Sequence, residues 1–303
     1  MKLSEFIYTV LLGPRPLRSL SNRAIQAILP KTVRVGPAVI HLNPRDPVIS
    51  GALTLGLYER DELSFVASIL RTGMTVVDVG ANVGLYTAVA MHHIGSNGRI
   101  IAFEPHRESA GFLAETVRAN AALCGNKCPQ VDIVEVAAAA FEGEASLFCN
   151  PENKGDNRLY ASNLTPDSGA LPVHAKTVDS VLRDHQIATI DFLKLDVQGY
   201  EREVICGAMN TLRNSPNVIV LSDLWPAGIQ TASDCDWTGY IDLLEDLNFH
   251  IYELGAGKLK LLQGRDAFVA LVSQLRGRRY TNIVCTKRPF PMGGDAALPF
   301  VVT

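Results

Sequence analysis

No CxxC pair and no Cys and His cluster with zinc-ligand spacing occurs in this chain of 303 residues. Cys124, Cys128, Cys149, Cys206, Cys235 and Cys285 stand apart, and the nearest two, in "CGNKC", have no second half. A structural zinc is therefore not expected, and free thiols in a reducing cytoplasm are the simpler reading. Positive charge is also lacking. The formal net charge is −3 and the pI near 6.2, which gives phosphate backbones nothing to hold and excludes nucleic acid as the expected partner. Long apolar runs are absent too. "FIYTVLLG" falls far short of the roughly 20 residues of a membrane span, Glu5 interrupts it, and no small-residue cleavage site follows. An amphipathic packing helix is expected there, with peripheral membrane contact through Arg15, Arg18 and Arg23 as the alternative that nothing else supports. No repeat or low-complexity tract appears.

What is present suits one large core: 47% of residues are hydrophobic and 19% charged. Residues 31–62 mix short β-prone pieces with Gly, Pro and Asn, which predicts a hairpin and loop. From Glu59 the apolar positions Leu63, Val66, Ile69 and Leu70 fall on one helical face, with Gly73 able to cap. Beyond this, strand patterns ("MTVVDV", "RIIAF", "VDIVEV", "IDFLKLDV", "NVIVLS", "FHIYEL", "YTNIVCTK") alternate with helical ones, among them "EREVICGAMNTL" as a single helix. Such alternation implies parallel pairing through crossover helices, a doubly wound, Rossmann-like α/β fold. The chain divides into an N-terminal helix and hairpin extension (1–58), a main domain (59–288) and a weakly patterned tail (289–303). Residues 150–172 are polar, turn-rich and too long for an ordinary connection, so they are read as a cover over a site.

The stretch "VVDVGANVG" at 76–84 is a strand running into a turn. Doubly wound sheets bind ligands at the carboxyl ends of their strands, where helix N-termini offer free N–H groups. A dinucleotide turn would read G-x-G-x-x-G, but Asn82 and Leu85 stand where its second and third glycines belong. No Gly-Lys-Ser/Thr follows, so a P-loop is excluded as well. Glu104 closes the next strand, 20 residues past Gly84, where a carboxylate can accept both hydroxyls of a ribose. Together with Asp78, Gly80 and Gly84 it points to a nucleoside ligand without a diphosphate.

"TVVDVGANVGLYT", "IIAFEPHRES", "VEVAAAAFEGEASLF" and "IDFLKLDVQGYEREVICGA" follow in the order and approximate spacing of the FkbM-like S-adenosylmethionine-dependent methyltransferases, which this sequence resembles. "LGLYERDE" and "YTNIVCTK" extend the resemblance over about residues 35–288. The resemblance implies a seven-stranded sheet whose last strand is antiparallel and S-adenosyl-L-methionine as cofactor. It implies that Gly80, Ala81, Asn82 and Gly84 cradle the methionine part with Asp78 in support. Glu104 would hold the ribose, Ala137 would lie by the adenine, and Asp196 would face the methyl-transfer centre. Gln198 departs from the Glu that many relatives carry, so position 198 is not read as an acid or base.

Methyl transfer to an alcohol needs alignment and a proton acceptor. Asp196, His106 and Glu59 are the candidate catalytic residues, and Glu201, Asp223 and Trp225 are further strand-end groups; His92 and His93 are read as structural. Asp156, Asp196 and Asp223 are the carboxylates a divalent ion would need, but nothing in the pattern requires one and no metal is expected. The expected activity is O-methylation of a sugar, glycan or polyketide-type small molecule by a cytoplasmic enzyme. A nicotinamide-dependent oxidoreductase and a non-catalytic binding protein on the same scaffold are the alternatives. Nothing in the sequence bears on oligomeric state.

Overall fold

The computed structural model describes residues 29–150, 153–161, 169–233, 235–275, 277, 279–291 and 301–302. The N-terminal helix expected before residue 29 lies outside them. A hairpin, β1 (Thr32–Val35) and β2 (Ala38–His41), leads into helix α1 (Pro47–Thr54) and helix α2 (Arg60–Ile69). Helix α1 corrects the expectation of a hairpin and loop alone. Its start was written in the sequence: Asp46 accepts the Ile49 N–H from the N-cap position and Pro47 takes the first helical place, where its missing N–H costs nothing.

The main sheet alternates strands with helices: β3 (Thr75–Val79), α3 (Leu85–Ile94), β4 (Arg99–Phe103), α4 (Arg107–Cys124) and β5 (Gln130–Val134) form its first half. After a small excursion, α5 (Val178–Asp184), β9 (Phe192–Leu195), α6 (Glu201–Cys206), α7 (Met209–Asn214), β10 (Ile219–Leu224), α8 (Pro226–Ala232) and α9 (Trp237–Asp246) follow. The hairpin β11 (His250–Gly255) and β12 (Lys258–Leu262), α10 (Gly264–Val272), β13 (Thr281–Thr286) and a short β14 (Val301–Val302) complete it. The excursion is a separate three-stranded sheet of β6 (Ala137–Ala138), β8 (Ala170–Lys176) and β7 (Gly143–Phe148).

Among the described residues the main sheet has nine strands in the order β14-β12-β11-β13-β10-β9-β3-β4-β5. The seven from β11 to β5 are the expected methyltransferase-type core: β10, β9, β3, β4 and β5 run parallel, and β13 is antiparallel to both β10 and β11. Strands β12 and β14 extend that core at one edge. The tail is thus not patternless, since Val301 and Val302 pair with Lys258 and Leu259 and the Phe290 N–H bonds the Tyr252 hydroxyl at 3.0 Å.

Successive side chains of a strand face opposite layers, and each layer here is a core. Val77, Ile101, Leu193 and Val220 pack under α5 to α10, whereas Val76, Ile100, Phe192 and Leu221 pack under α1 to α3 and the hairpin. Each large apolar side chain buried this way contributes about 1.5–3 kcal/mol. The hairpin is tied to α4 by polar bonds as well. The Asn120 amide bonds both the N–H (3.0 Å) and the carbonyl (2.6 Å) of Val39, and Thr116 accepts the His41 N–H at 3.0 Å.

"EREVICGAMNTL" forms two helices rather than one. At Gly207 the chain passes so close to the Ala139 carbonyl that a Cβ would lie 2.0 Å from its oxygen, and Asp179 caps the new helix by accepting the N–H groups of Asn210 (3.0 Å) and Thr211 (2.8 Å).

Candidate active site

Strand β3 ends at Val79 and the chain turns at Gly80, whose φ is +79°. The N–H groups of Gly80 and Ala81 both donate to the Phe103 carbonyl at 3.0 Å, and the Asp196 N–H donates to the Val79 carbonyl at 3.1 Å. The turn is thereby locked to the ends of β4 and β9. A Cβ on Gly80 would lie 2.1 Å from the Asp196 backbone oxygen, so only glycine fits. Asn82 is left-handed at φ +47°, which an Asn tolerates. Its buried side-chain oxygen has no hydrogen-bond partner. Helix α3 then starts at Gly84 without a side-chain cap, leaving its first N–H groups for a ligand.

Glu104 faces this turn from the end of β4. One carboxylate oxygen accepts the Asn82 N–H at 2.8 Å and the other accepts the His106 N–H at 2.9 Å. Each keeps a lone pair for a further donor. Burial pushes its pKa up to about 7, against the two backbone bonds that favour the charged form. Asp78, behind the turn, accepts the Thr87 hydroxyl at 2.6 Å, and burial raises it to about 6.

A pocket open to solvent lies over these strand ends. Gly80, Ala81, Asn82, Glu104 and Ala137 line it, together with Asp196 and Val197 after β9 and with Ile49, Leu53, Tyr58 and Glu59 from α1 and the start of α2. Gly155, Asn157 and Leu159 also line it. They belong to residues 153–161, the central described part of the expected cover; residues 151–152 and 162–168 lie outside the described residues. This strap is held down by Arg158, whose guanidinium lies 4.6 Å from the Trp225 ring centre and forms a buried ion pair with Asp156. Trp225 therefore packs on an arginine. The Tyr160 hydroxyl donates to the Gln198 carbonyl at 2.5 Å, and the Gln198 amide donates to Asp196 at 2.7 Å.

The candidate residues are thus mostly brought together. Asp78 and Gly84 stand behind and beside the turn. His106 is not among the pocket-lining residues: it caps α4, accepting the Ser109 N–H. Glu201, fully buried, accepts the N–H groups of Val197 (3.3 Å) and Gly199 (3.1 Å) and fixes the loop after Asp196. Asp156, spent on Arg158, does not converge with Asp196 and Asp223, and no group of three His, Cys, Asp or Glu side chains with metal-binding geometry occurs among the described residues.

Glu59 is half-buried at the start of α2 in a left-handed conformation, φ +44°. Tyr86 donates its hydroxyl to one Glu59 oxygen at 2.5 Å. Loss of water lifts this carboxyl to about 7, with Lys194 opposing the rise and Asp196 adding to it. Lys194 and Tyr86 were not singled out in the sequence. The signal for Lys194 was a lysine inside the apolar strand "FLKLD"; Tyr86 carried none beyond its place in α3.

The profile of the Methyltransferase FkbM domain matches residues 78–251, more than half of the chain. The chain belongs to the FkbM methyltransferase family. Among curated relatives, Methyltransferase sdnD of Sordaria araneosa is 30% identical over 58% of this chain and 73% of its own length. The 31-O-demethyl-FK506 methyltransferase FkbM of Streptomyces tacrolimicus is 30% identical over 46% of this chain and 60% of its own. The AMB antimetabolite synthetase AmbE of Pseudomonas aeruginosa is 26% identical over 80% of this chain, which spans only 12% of that synthetase. The crystal structure of Methyltransferase FkbM from Methylobacillus flagellatus covers 89% of this chain and 59% of its own at 13% identity and a TM-score of 0.44, values that carry no argument about activity. The cofactor that the FkbM family implies, S-adenosylmethionine, fits the residues present: a glycine turn no Cβ can fill, an unpartnered Asn82 oxygen beside it, and a two-oxygen acceptor in Glu104. No helix among the described residues is long and apolar enough to cross a membrane.

Proposed function

We propose that this member of the FkbM family is an S-adenosylmethionine-dependent O-methyltransferase acting on a hydroxyl of a small molecule, of natural-product or sugar type. The observation that carries the reading is that Glu59 lines the same pocket as the Gly80 turn and Glu104. In this reading the turn and the open end of α3 hold the amino-acid portion of the cofactor, Glu104 accepts its ribose hydroxyls, and Ala137 packs beside its base. When bound, S-adenosylmethionine supplies an already activated methyl group. The chain's own task is then alignment and proton removal, which together contribute most of the acceleration.

Glu59 is the proposed base. A carboxyl with a pKa of about 7 is both ionised and basic enough at neutral pH, and Tyr86 occupies only one of its oxygens. Asp196, held by Gln198, flanks the reacting oxygen and keeps the pocket acidic. The apolar side chains of Ile49, Leu53 and Leu159 exclude water around the acceptor. Oxygen as the accepting atom is supported by the name of the Streptomyces relative, a methyltransferase of a 31-O-demethyl compound.

Calorimetry with S-adenosylmethionine, S-adenosylhomocysteine and NAD tests the cofactor, followed by a screen with labelled methyl groups. Binding of NAD in place of the first two overturns the reading in favour of an oxidoreductase. Binding of the first two without transfer to any of a broad panel of alcohols favours a binding protein.

A further inference from the structure

Lys194 is a buried lysine, 1% exposed, on the apolar strand β9. Its ammonium donates to the Leu195 carbonyl at 2.9 Å, lies 3.9 Å from an Asp223 oxygen, and sits 5.2 Å from the Tyr86 ring centre. An ammonium is costly to bury unless it is paired. Yet the pair with Asp223 is not closed: 3.9 Å exceeds hydrogen-bond reach, and that Asp223 oxygen has no other hydrogen-bond partner. The ammonium stands between Asp223 and Tyr86 rather than on either. A cation over the ring of a phenol draws charge from it and strengthens its hydroxyl as a donor, and the Tyr86 hydroxyl is spent on Glu59.

We propose that Lys194, absent from the pocket wall, is a positioning residue that keeps Glu59 in its proton-accepting form, acting through Tyr86. The inference rests on the reading of Glu59 as the base. The groups facing Glu59 are Asp196 past β9, Tyr86 on α3, Glu62 on α2, its neighbour Tyr58, Asp223 on β10 and Tyr280 before β13, besides Lys194 itself. Among the described residues named here, Lys194 is the one cation. Glu62 is already satisfied by the Asn282 amide at 2.7 Å. Removing the ammonium leaves a field of acids and phenols, which drives Glu59 to hold its proton.

Lys194→Met alone strands a buried Asp223 and is expected to fold poorly, so the variant to compare with Asp223→Asn is Lys194→Met/Asp223→Asn. The readout is the carboxyl resonance of Glu59 in protein carrying ¹³C at the glutamate carboxyls, assigned by its loss in Glu59→Gln and titrated by NMR. The expected result is a midpoint about one pH unit or more higher in the double variant than in Asp223→Asn, with a smaller shift of the same sign in Tyr86→Phe. The acid limb of the kcat profile moves with it. An unmoved midpoint in the double variant overturns the proposal and leaves Lys194 as a partner for Asp223 only. An unmoved midpoint in Tyr86→Phe overturns the route through Tyr86. A midpoint that moves while the acid limb stays upholds the hold on Glu59 and overturns its role as base.

Discussion

A Cβ on Gly80 would lie 2.1 Å from the backbone oxygen of Asp196. Two segments more than a hundred residues apart in sequence therefore touch through the one side chain that is missing. Gly80→Ala meets both that carbonyl and a left-handed backbone, φ +79°, which alone costs about 1–3 kcal/mol. Thermal unfolding should show a clear loss of stability, and the variant should bind neither S-adenosylmethionine nor its product, because Asp196 and the turn cannot both stay in place.

Glu104 carries a pKa of about 7 before any ligand arrives. Ribose hydroxyls are best accepted by the ionised form, so cofactor affinity should rise from pH 6 to pH 8, roughly the span around that value. Glu104→Gln should flatten this dependence and weaken binding by about 1.5–3 kcal/mol, the worth of hydrogen bonds to a charged group. Titration calorimetry at several pH values reads both effects; a variant that retains the slope would refute the assignment.

Stability of the ligand-free protein should fall as pH rises through the same window. Glu104, Glu201 and Glu59 are raised to about 7 and Asp78 to about 6 by burial. Between the unfolded carboxylate value near 4.5 and these folded values, the folded chain holds protons that the unfolded chain has released, and stability then decreases with pH. Denaturant midpoints at about pH 5.5 should exceed those at about pH 8, and Glu201→Gln should reduce the difference, since Glu201 takes no part in the pocket.

Glu59→Gln should lower kcat by about 10²–10⁴-fold if Glu59 is the general base. Cofactor affinity should stay near that of the unchanged protein, because Glu59 bonds Tyr86 and not the turn that Glu104 holds. A loss of binding with kcat preserved would move Glu59 out of the chemistry.

Arg158→Met breaks a buried pair and leaves Asp156 uncompensated, at a cost of about 3–5 kcal/mol. Amide hydrogen exchange of residues 153–161 should accelerate while β3, β4 and β9 stay protected. Equal acceleration everywhere would mean that the strap is not a separable element.

The glycine turn and the acid that faces it were legible because their geometry is local. A strand, a glycine turn and an acid at the end of the next strand leave a mark in order and spacing. Asp196 was legible for the same reason. His106 misled, since a histidine two residues past Glu104 can face the ligand or turn back onto its own helix, and Ser109 decides for the helix. Lys194 and Tyr86 were illegible because their role exists only once α3 and β9 pack together. The small sheet around β7 and β8 went unread for another reason. Its strands are largely exposed, and "GEASLF" carries little of the apolar pattern that marks a strand. The β11–β12 hairpin likewise hid its second half in "KLKLL", two lysines in a five-residue strand next to the sheet's edge.

Strand β13 runs against its neighbours and so begins where β10 ends, with Thr281 paired to Leu224. There the chain is tied down on both sides: the Gly277 carbonyl accepts the Trp225 indole N–H at 2.9 Å, and the Asn282 amide donates to Glu62 at 2.7 Å. Glu62 belongs to the helix that Glu59 starts, and Ile49, Leu53, Tyr58 and Glu59 line the pocket. Both contributions lie outside residues 78–251, the stretch that carries the family's signature. The pocket is thereby walled in part by chain that the family's signature does not cover.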